Sequence, residues 1–486
     1  MLSKRNDIGK ESLILTISQF IVLGINMVNV MLLSRVRTLE EYGTYSQVIM
    51  VCTLIVNFLS AGFAQCINYF LGKSDTEEEK TRFIKSYYTI VSGVSLAGGV
   101  LTLMALPVIQ SYFGNDGIRS LWFVLLLYPF SHILNSGIDR FFIAYKKAKG
   151  LLVLRVTYSV IILSEVLLAI VLDMSFYEYM VMFTLIEVIH ALLDFLWIRI
   201  ITGVLPLGYA KGALRMILGF AIPMAFASAI STINTEMDKL IVGGLVSTGT
   251  MAIYTNAAKE LPVTIISTSI SSVTMPHMVR RVQQKEMPQA ARLWSKSIIL
   301  SAYVMMFFIC VLFVFAPQVI RVLYSEKYVS GANVFRVYTL VLLFRITYYG
   351  MALNAMGKTK TILLSSVLTM VINLILDLAL YWLLGIIGPA IATLVSVAVM
   401  NMCQLILTKR LMKVRFTDIY PVKELLRILL LNAAMGAVFF GAQQGLFRVC
   451  SYDQTVLTIA LGVVWMIVYA IAVRKPVLRL WKELNA

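Results

Sequence analysis

The chain has 486 residues, of which 59% are hydrophobic and 14% charged, and its formal net charge is +17. This composition excludes a soluble globular protein, because apolar segments of about 20 residues, each long enough to cross a bilayer, recur from end to end. It also excludes a transmembrane barrel, because the two-residue alternation typical of barrel strands is missing.

The apolar segments, taken in chain order, predict about fourteen transmembrane helices, numbered here as spans. Helices are favoured because each backbone polar group inside lipid needs a partner within its own segment. The expected fold class is therefore all-α integral membrane. The predicted spans lie near residues 12–33, 45–70, 87–110, 119–138, 152–172, 177–197, 215–246, 250–276, 295–315, 330–355, 361–382, 386–407, 425–441 and 456–473.

The positive charges alternate from side to side along this predicted topology. Most of the 42 Lys and Arg residues fall in loops on one side, with large groups around Lys147, Arg281 and Lys409. Since cytoplasmic loops are enriched in Lys and Arg, both termini are expected in the cytoplasm of a plasma-membrane protein. Topology and contact with anionic lipid headgroups then explain the basic clusters, and nucleic acid is not an expected partner.

The predicted loops are too short to form a soluble catalytic or nucleotide-binding domain. The phosphate-loop motif GxxxxGK[ST] is also missing. Transport is therefore expected to run without ATP bound to this chain. The cysteine and histidine spacing predicts no metal site, and no cofactor is expected. These observations favour a transporter over an enzyme.

Short sequence echoes recur at a spacing of about 210 residues, which predicts a duplication of six helices. The matching pairs are residues 144–149 (AYKKAK) with residues 355–360 (AMGKTK), Tyr45 with Tyr254, and Glu165 with Asp377. Because six is even, both copies enter the membrane from the same side, and the repeat axis runs along the membrane normal. The expected domains are an N-lobe of residues 1–205, a C-lobe of residues 206–412 and a C-terminal helix pair of residues 413–486.

Polar side chains on the first two spans of each predicted lobe are expected to line a water-filled cavity. The clearest pattern is on span 8, where Ser, Thr and Asn recur at three- or four-residue spacing on one face. A charge near mid-bilayer is costly unless it faces a cavity or a partner. The alternatives are helix packing by Ser and Thr, and local pairing of Lys239 with Glu236 or of Lys259 with Glu260. The predicted binding residues are Arg35, Asn26, Asn57, Lys239, Asn256, Lys259 and Arg345.

Carboxylates inside the membrane form a second predicted set. Glu187, His190 and Asp194 share one face of span 6, and Asp377 lies one turn after Asn373 on span 11. Proton relay, sodium binding and ordinary interior hydrogen bonding are all compatible with this pattern, whereas one His with two carboxylates is weak evidence for a metal site. The residues expected to couple transport to ions are Glu165, Glu187, Asp377 and Asp238.

Three segments resemble the polysaccharide-biosynthesis flippases, which move lipid-linked oligosaccharides and belong to the multidrug/oligosaccharidyl-lipid/polysaccharide exporter superfamily. The segments are LSRVRTLEEYGTYS at residues 33–46, MDKLIVG at residues 237–243 with AIYTNA at residues 252–257, and AMGKTK at residues 355–360. The resemblance covers spans 1 to 12. It implies two six-helix bundles in a V, a central cavity lined largely by spans 1, 2, 7 and 8, and alternating access.

The resemblance also implies a function, which is movement of a polyprenyl-pyrophosphate-linked oligosaccharide to the outer leaflet of a bacterial plasma membrane for cell-surface polysaccharide synthesis. The implied partners are this glycolipid, membrane lipids and the polysaccharide-synthesis machinery, with membrane potential, protons or sodium as energy sources. The first alternative is an ion-coupled exporter of drugs or metabolites, although the cations of the second lobe favour an anionic substrate. A membrane-embedded glycosyltransferase or polymerase is the alternative of another class and normally has a larger outer loop.

Overall fold

The structure, a computed structural model, describes residues 2–259, 261–449 and 454–485. Within these residues every regular element is helical, and 11 helices are long and apolar enough to cross a membrane. The predicted all-helical membrane fold is confirmed. The chain separates into two compact units, of which unit 1 comprises Met1–Glu236 and Gly243–Ala252, and unit 2 comprises Met237–Val242 and Ile253–Ala486. The three predicted domains stay a prediction.

The helices are numbered in chain order. Those of the first half are α1 (Leu2–Val36), α2 (Leu39–Lys73), α3 (Glu77–Met104), α4 (Leu106–Phe113), α5 (Gly117–Ser120), α6 (Trp122–Asn135), α7 (Ile138–Ala144), α8 (Ala148–Val171) and α9 (Phe176–Thr202). Those of the second half are α10 (Ala213–Leu245), α11 (Thr248–Ala257), α12 (Thr264–Gln283), α13 (Met287–Val314), α14 (Ala316–Leu323), α15 (Ala332–Val341), α16 (Met351–Ala355), α17 (Thr359–Leu384), α18 (Ile387–Met412), α19 (Phe416–Ile419), α20 (Val422–Val449) and α21 (Gln454–Asn485). Short 3₁₀ turns occupy Glu326–Gly331 and Leu342–Arg345.

The internal repeat is visible in where the helices begin. Helix α3 begins at Glu77 and α13 begins at Met287, 210 residues later, and α4 and α14 begin at Leu106 and Ala316 with the same spacing. Helices α8 and α17, and likewise α9 and α18, begin 211 residues apart. Helices α20 and α21 follow the second copy and pack against α13 of unit 2.

Four predicted spans are interrupted in the structure, which corrects the expectation of continuous helices there. Span 3 is broken near its end between α3 and α4. Span 4 is formed by α6 followed by α7, span 8 by α11 and α12, and span 10 by α15, a 3₁₀ turn and α16. Pro262 contributes to the interruption of span 8, because its ring nitrogen has no hydrogen to donate to a preceding carbonyl. The interruptions of spans 4, 8 and 10 account for the difference between the fourteen predicted spans and the 11 long apolar helices among the described residues.

Each unit has a core built from large aromatic side chains. In unit 1, Tyr88 of α3 stacks on Phe141 of α7 with 5.5 Å between ring centroids. In unit 2, Trp294 of α13 is fully buried, and Trp465 of α21 stacks on Phe439 of α20 with 5.1 Å between ring centroids. Rings of this size bring many dispersion contacts, so they fix the helix positions within each unit.

Helices α3 and α6 approach closely at Gly99, where a Cβ atom would lie 2.2 Å from the backbone oxygen of Leu126. Replacing Gly99 with alanine is therefore expected to push these helices apart and to cost about 1–3 kcal/mol of stability. Gly93 lies on the same helix with no atom within 4 Å of its Cβ position. Gly93→Ala should therefore be neutral or stabilise by up to about 1 kcal/mol. Thermal stability would be measured as the temperature at which the detergent-solubilised protein loses its monodisperse peak. Equal temperatures for Gly99→Ala and Gly93→Ala would contradict the close approach of α3 and α6.

Candidate functional site

The polar face predicted on span 8 is divided between two helices. Helix α11 ends at Ala257 and α12 begins at Thr264, with Pro262 in the connecting segment. The regular rotation of 100° per residue does not continue across this segment, so Asn256 no longer shares a face with the hydroxyl residues of α12. Glu260, the alternative partner of Lys259 in the sequence analysis, lies outside the described residues.

The interruption of span 10 is stabilised by side chains from two neighbouring helices. Trp294 Nε1 of α13 donates a hydrogen bond to Thr347 Oγ1 at 3.0 Å, and Asn401 Nδ2 of α18 donates to the Phe344 carbonyl oxygen at 2.8 Å. The second bond gives a backbone carbonyl at the interruption a partner, as a carbonyl away from water requires. Together the two bonds fix the chain on both sides of Arg345.

Arg345 and the hydroxyl residues of α12 line one cavity in unit 2. Its volume is about 630 Å³. This volume lies within the range of about 300–1,000 Å³ that is usual for small-molecule sites. The lining residues are Thr264, Ser267, Thr268, Ser271, Ser272, Met275, Arg345, Thr347, Tyr348, Met351 and Asn354. The cavity therefore combines one guanidinium group with a wall of hydroxyl groups.

The hydroxyl groups of α12 mostly donate their hydrogens to the helix backbone. Ser267 Oγ donates to the Thr264 carbonyl oxygen at 2.9 Å, and Ser272 Oγ donates to the Thr268 carbonyl oxygen at 2.8 Å. A hydroxyl oxygen that donates in this way keeps its lone pairs as acceptors. The wall is thus suited to accept hydrogen bonds from the hydroxyl groups of a ligand, while Arg345 supplies donors.

The other predicted binding residues of unit 2 lie elsewhere. Asn256 is buried on α11, Lys239 is half-buried on α10, and Lys259 is exposed just after α11. Lys259 borders a small cleft beside Tyr338 and Leu342. In the described part of the chain, the residues lining the 630 Å³ cavity do not include these three. Their predicted roles in substrate binding stay predictions.

The predicted binding residues of unit 1 lie on its first two helices. Asn26 and Arg35 are exposed on α1, and Asn57 is half-buried on α2. Arg35 stands in the last turn of α1, where a cation interacts favourably with the negative end of the helix dipole. Their contribution to a binding site stays a prediction.

Two of the predicted coupling residues, Asp238 and Asp377, are both buried in unit 2. The Asp238 carboxylate accepts hydrogen bonds from the hydroxyl groups of Tyr254, at 2.7 Å, and Tyr338. Asp377 Oδ2 accepts from Asn373 Nδ2 at 3.0 Å. The two carboxylates are close enough for their charges to interact. Two like charges in a dry interior are unfavourable, so this pair is a candidate for binding a proton or a cation.

The other two predicted coupling residues, Glu165 and Glu187, are buried in unit 1 on α8 and α9. Glu187 accepts a hydrogen bond from the Tyr158 hydroxyl group, and its Oε2 atom lies 3.1 Å from His132 Nε2. Glu165 is close enough to Glu187 for their charges to interact. The structure therefore brings the four predicted coupling residues together as one pair in each unit.

A family model described as "Polysaccharide biosynthesis protein" matches residues 32–333, which is more than half of the chain. The chain belongs to the polysaccharide biosynthesis protein family. The region matched by the family model contains Glu165, Glu187 and Asp238, together with the hydroxyl residues of α12. Arg345 and Asp377 follow in the part of this family member beyond the matched region.

Two curated proteins are similar to this chain in sequence. A "Probable lipid II flippase MurJ" of Rhizobium meliloti is 21% identical over 221 residues, which cover 42% of this chain and 40% of the relative. A "Capsular polysaccharide biosynthesis protein CapF" of Staphylococcus aureus is 21% identical over 374 residues, which cover 74% of this chain and 89% of the relative. The alignment with the first relative thus spans less than half of that protein.

Solved structures share the fold of this polysaccharide biosynthesis family member. The inward closed conformation of the lipid II flippase MurJ aligns with a TM-score of 0.76 at 17% identity, over 96% of this chain and 100% of the solved chain. An inward-facing multidrug resistance MATE family transporter of the MOP superfamily aligns with a TM-score of 0.64 at 16% identity, over 80% of this chain and 94% of the solved chain. Both have the fold of this chain, a multi-pass assembly of membrane-spanning helices.

Several residues of these sites were not found from the sequence. Tyr338 binds Asp238 from 100 residues away in the chain, and His132 reaches Glu187 from another helix. Thr347 and Asn354 line the cavity from the interrupted span 10. Their polarity within an apolar segment was a usable signal, but only the interruption of the helix turns them toward the cavity. The tyrosines carried no comparable signal, because buried Tyr residues are common in helix packing.

Proposed function

We propose that this chain is a flippase that moves a polyprenyl-pyrophosphate-linked oligosaccharide from the cytoplasmic to the outer leaflet by alternating access. The observation that carries the proposal is the cavity formed by Arg345 and the hydroxyl residues of α12, within a membrane protein of the polysaccharide biosynthesis family. The proposed setting is a bacterial plasma membrane with both termini in the cytoplasm, and the proposed partner is the machinery of cell-surface polysaccharide synthesis.

The chemistry of the cavity matches the headgroup of such a glycolipid. The planar guanidinium group of Arg345 presents several donors in a fixed geometry that suits phosphate oxygens. The hydroxyl wall suits the many hydroxyl groups of a sugar. The polyprenyl tail would stay in the bilayer, where it loses no hydrophobic stabilisation. The reaction is a movement without covalent change, so the glycolipid should be recovered intact.

Two energy sources are proposed. Moving about two negative charges outward across about 100 mV, inside negative, releases roughly 4–5 kcal/mol. Asp238 and Asp377 would couple transport to a proton or a sodium ion. This ion would bind where it compensates the two carboxylate charges, and it would be released when the conformation changes. Membrane potential alone suffices for net outward movement, and ion binding would reset the transporter for the next cycle.

Purified wild-type protein in liposomes is expected to move a fluorescent undecaprenyl-pyrophosphate oligosaccharide between leaflets, and an imposed potential should accelerate this movement. The measurement is bleaching of the fluorophore by a reductant that does not cross the membrane. Protein-free liposomes, and a fluorescent lipid with a zwitterionic headgroup, serve as controls.

The second candidate is an ion-coupled exporter of organic cations, which the buried carboxylates and the structural likeness to a multidrug resistance transporter favour. The same liposomes distinguish the two candidates. Absence of glycolipid movement, combined with export of ethidium driven by a proton or sodium gradient, would reject the flippase proposal. Movement of the glycolipid without ethidium export would reject the exporter.

A further inference from the structure

Unit 1 contains two histidines that are placed alike beside buried carboxylates. His132 Nε2 of α6 lies 3.1 Å from Glu187 Oε2 of α9. His190 and Asp194 are both on α9, and His190 Nε2 lies 3.5 Å from Asp194 Oδ2. Glu187 and Asp194 are 3% and 2% exposed. The imidazole group is the side chain whose charge changes most readily between about pH 5 and 8, so each pair has the composition of a proton site.

Each imidazole ring also stacks on a tyrosine ring. The ring centroids of Tyr128 and His132 are 3.9 Å apart, and those of Tyr158 and His190 are also 3.9 Å apart. An aromatic face attracts a cation, so the stacking favours the protonated imidazole. The two sites thus repeat one arrangement, in which an imidazole ring is held between an aromatic face and a carboxylate.

Tyr158 joins the two pairs. Its ring stacks on His190, and its hydroxyl group donates a hydrogen bond to Glu187 Oε1. Asn135 Nδ2 lies 3.3 Å from His190 Nδ1, and the other ring nitrogen of His190, Nε2, faces Asp194. A continuous series of contacts therefore runs along α9 toward its predicted cytoplasmic end.

The surroundings of the two pairs contain further carboxylates and one arginine. No hydrogen-bond partner among the described residues reaches either carboxylate oxygen of Asp194 or of Glu165. Arg155 is engaged by Asp139. The titratable or charged groups that face the pairs are Tyr45 and Cys52 of α2, Tyr88 of α3, Tyr128 and His132 of α6, Asp139 of α7, Arg155, Tyr158 and Glu165 of α8, and Glu187, His190 and Asp194 of α9. Helix α1 also packs on α8, but it carries no titratable side chain from Ile14 to Ser34.

We propose that His132–Glu187 and His190–Asp194 form a proton relay in unit 1, in which each pair binds one proton as an imidazolium beside a carboxylate. Without that proton each pair would place a net negative charge in a dry interior, which is costly. Imidazole is a poor ligand for sodium, which prefers oxygen donors, so the relay is assigned to protons. Its role in coupling rests on the proposed transport function, whereas proton binding itself does not.

Proton binding can be measured without any substrate, because the chain has only three histidines. Purified protein with isotope-labelled histidine would be titrated by NMR from about pH 5 to about pH 8, with His→Gln variants assigning each signal. Glu187→Gln is expected to weaken proton binding at His132 about tenfold, and Asp194→Asn to do the same at His190. The exposed His277 in unit 2 is the internal control and should not respond.

A matched control is Glu178→Gln, an exposed carboxylate near the start of α9 whose glutamine replacement preserves the capping box with Ser175. It should leave all three signals unchanged. If Glu187→Gln does not fold, Tyr158→Phe removes one hydrogen bond to Glu187 with little change of shape and should still shift the His132 titration. The proposal is overturned if His132 and His190 do not titrate in this range, or if they titrate unchanged in the carboxylate variants.

The coupling role is tested in liposomes with the fluorescent glycolipid. A pH gradient is expected to change the wild-type rate, and Glu187→Gln should reduce that response about tenfold while Glu178→Gln preserves it. An unchanged response in Glu187→Gln would overturn the coupling role. Failure of the wild type to move the glycolipid, alongside carboxylate-dependent titration of His132 and His190, would reject the flippase proposal and retain the relay as a proton site.

Discussion

Arg345→Ala is expected to slow glycolipid movement by about 10–100-fold, because removing a charged hydrogen-bond donor costs about 1.5–3 kcal/mol. Arg345 is the guanidinium group that lines the cavity together with the hydroxyl residues of α12. Loss of its charge would leave the pyrophosphate group of the proposed substrate without this compensation. The fluorophore-bleaching assay in liposomes gives the rate directly.

Two further variants make this result specific. Arg345→Lys keeps the charge but loses the planar pair of donors, so its rate should lie between those of wild type and alanine variant. Arg336→Ala is the matched control, since Arg336 lies on α15 of the same interrupted span and donates to Asn333 Oδ1 at 2.8 Å. If Arg345→Ala moves the glycolipid at the wild-type rate, the guanidinium group has no role in binding. If Arg336→Ala is also slow, the loss in Arg345→Ala reflects general damage to this span.

Asp377→Asn is expected to reduce the ion-driven acceleration of transport about tenfold. The replacement keeps the shape of the side chain and an oxygen that can accept from Asn373, but it removes one of the two charges that attract a cation. Movement driven by membrane potential alone should persist, because that energy depends on the charge of the substrate.

The coupling experiment separates protons from sodium by imposing each gradient alone. Asp238→Asn should behave like Asp377→Asn, whereas Asp418→Asn, at an exposed carboxylate on α19, should behave like wild type. Sodium coupling also predicts that sodium raises the thermal stability of wild type but not of Asp377→Asn, since a ligand stabilises only a state that binds it. An intact response to both gradients in Asp377→Asn would reject the coupling role of this carboxylate.

The placement of these residues was only partly predictable from the sequence. Arg345 and the hydroxyl residues of α12 were recognised as unusual because charges and repeated hydroxyl groups are rare inside apolar segments. Their meeting in one cavity required the interruption of span 10, which depends on Trp294 and Asn401 from distant parts of the chain. The hydroxyl face lies on α12 alone and not along the whole of predicted span 8, because the segment with Pro262 interrupts the helical rotation between α11 and α12.

The sequence by itself determined that the chain is an all-helical membrane protein with a repeated six-helix plan. It could do so because a bilayer imposes a length and an apolar composition on every spanning helix, and both can be counted along the chain. Only the tertiary structure decided which spans are interrupted and which buried groups meet, such as His132 with Glu187 and Tyr338 with Asp238. These contacts join residues far apart in the chain, and their geometry follows from how helices pack, which hydropathy and periodicity do not specify.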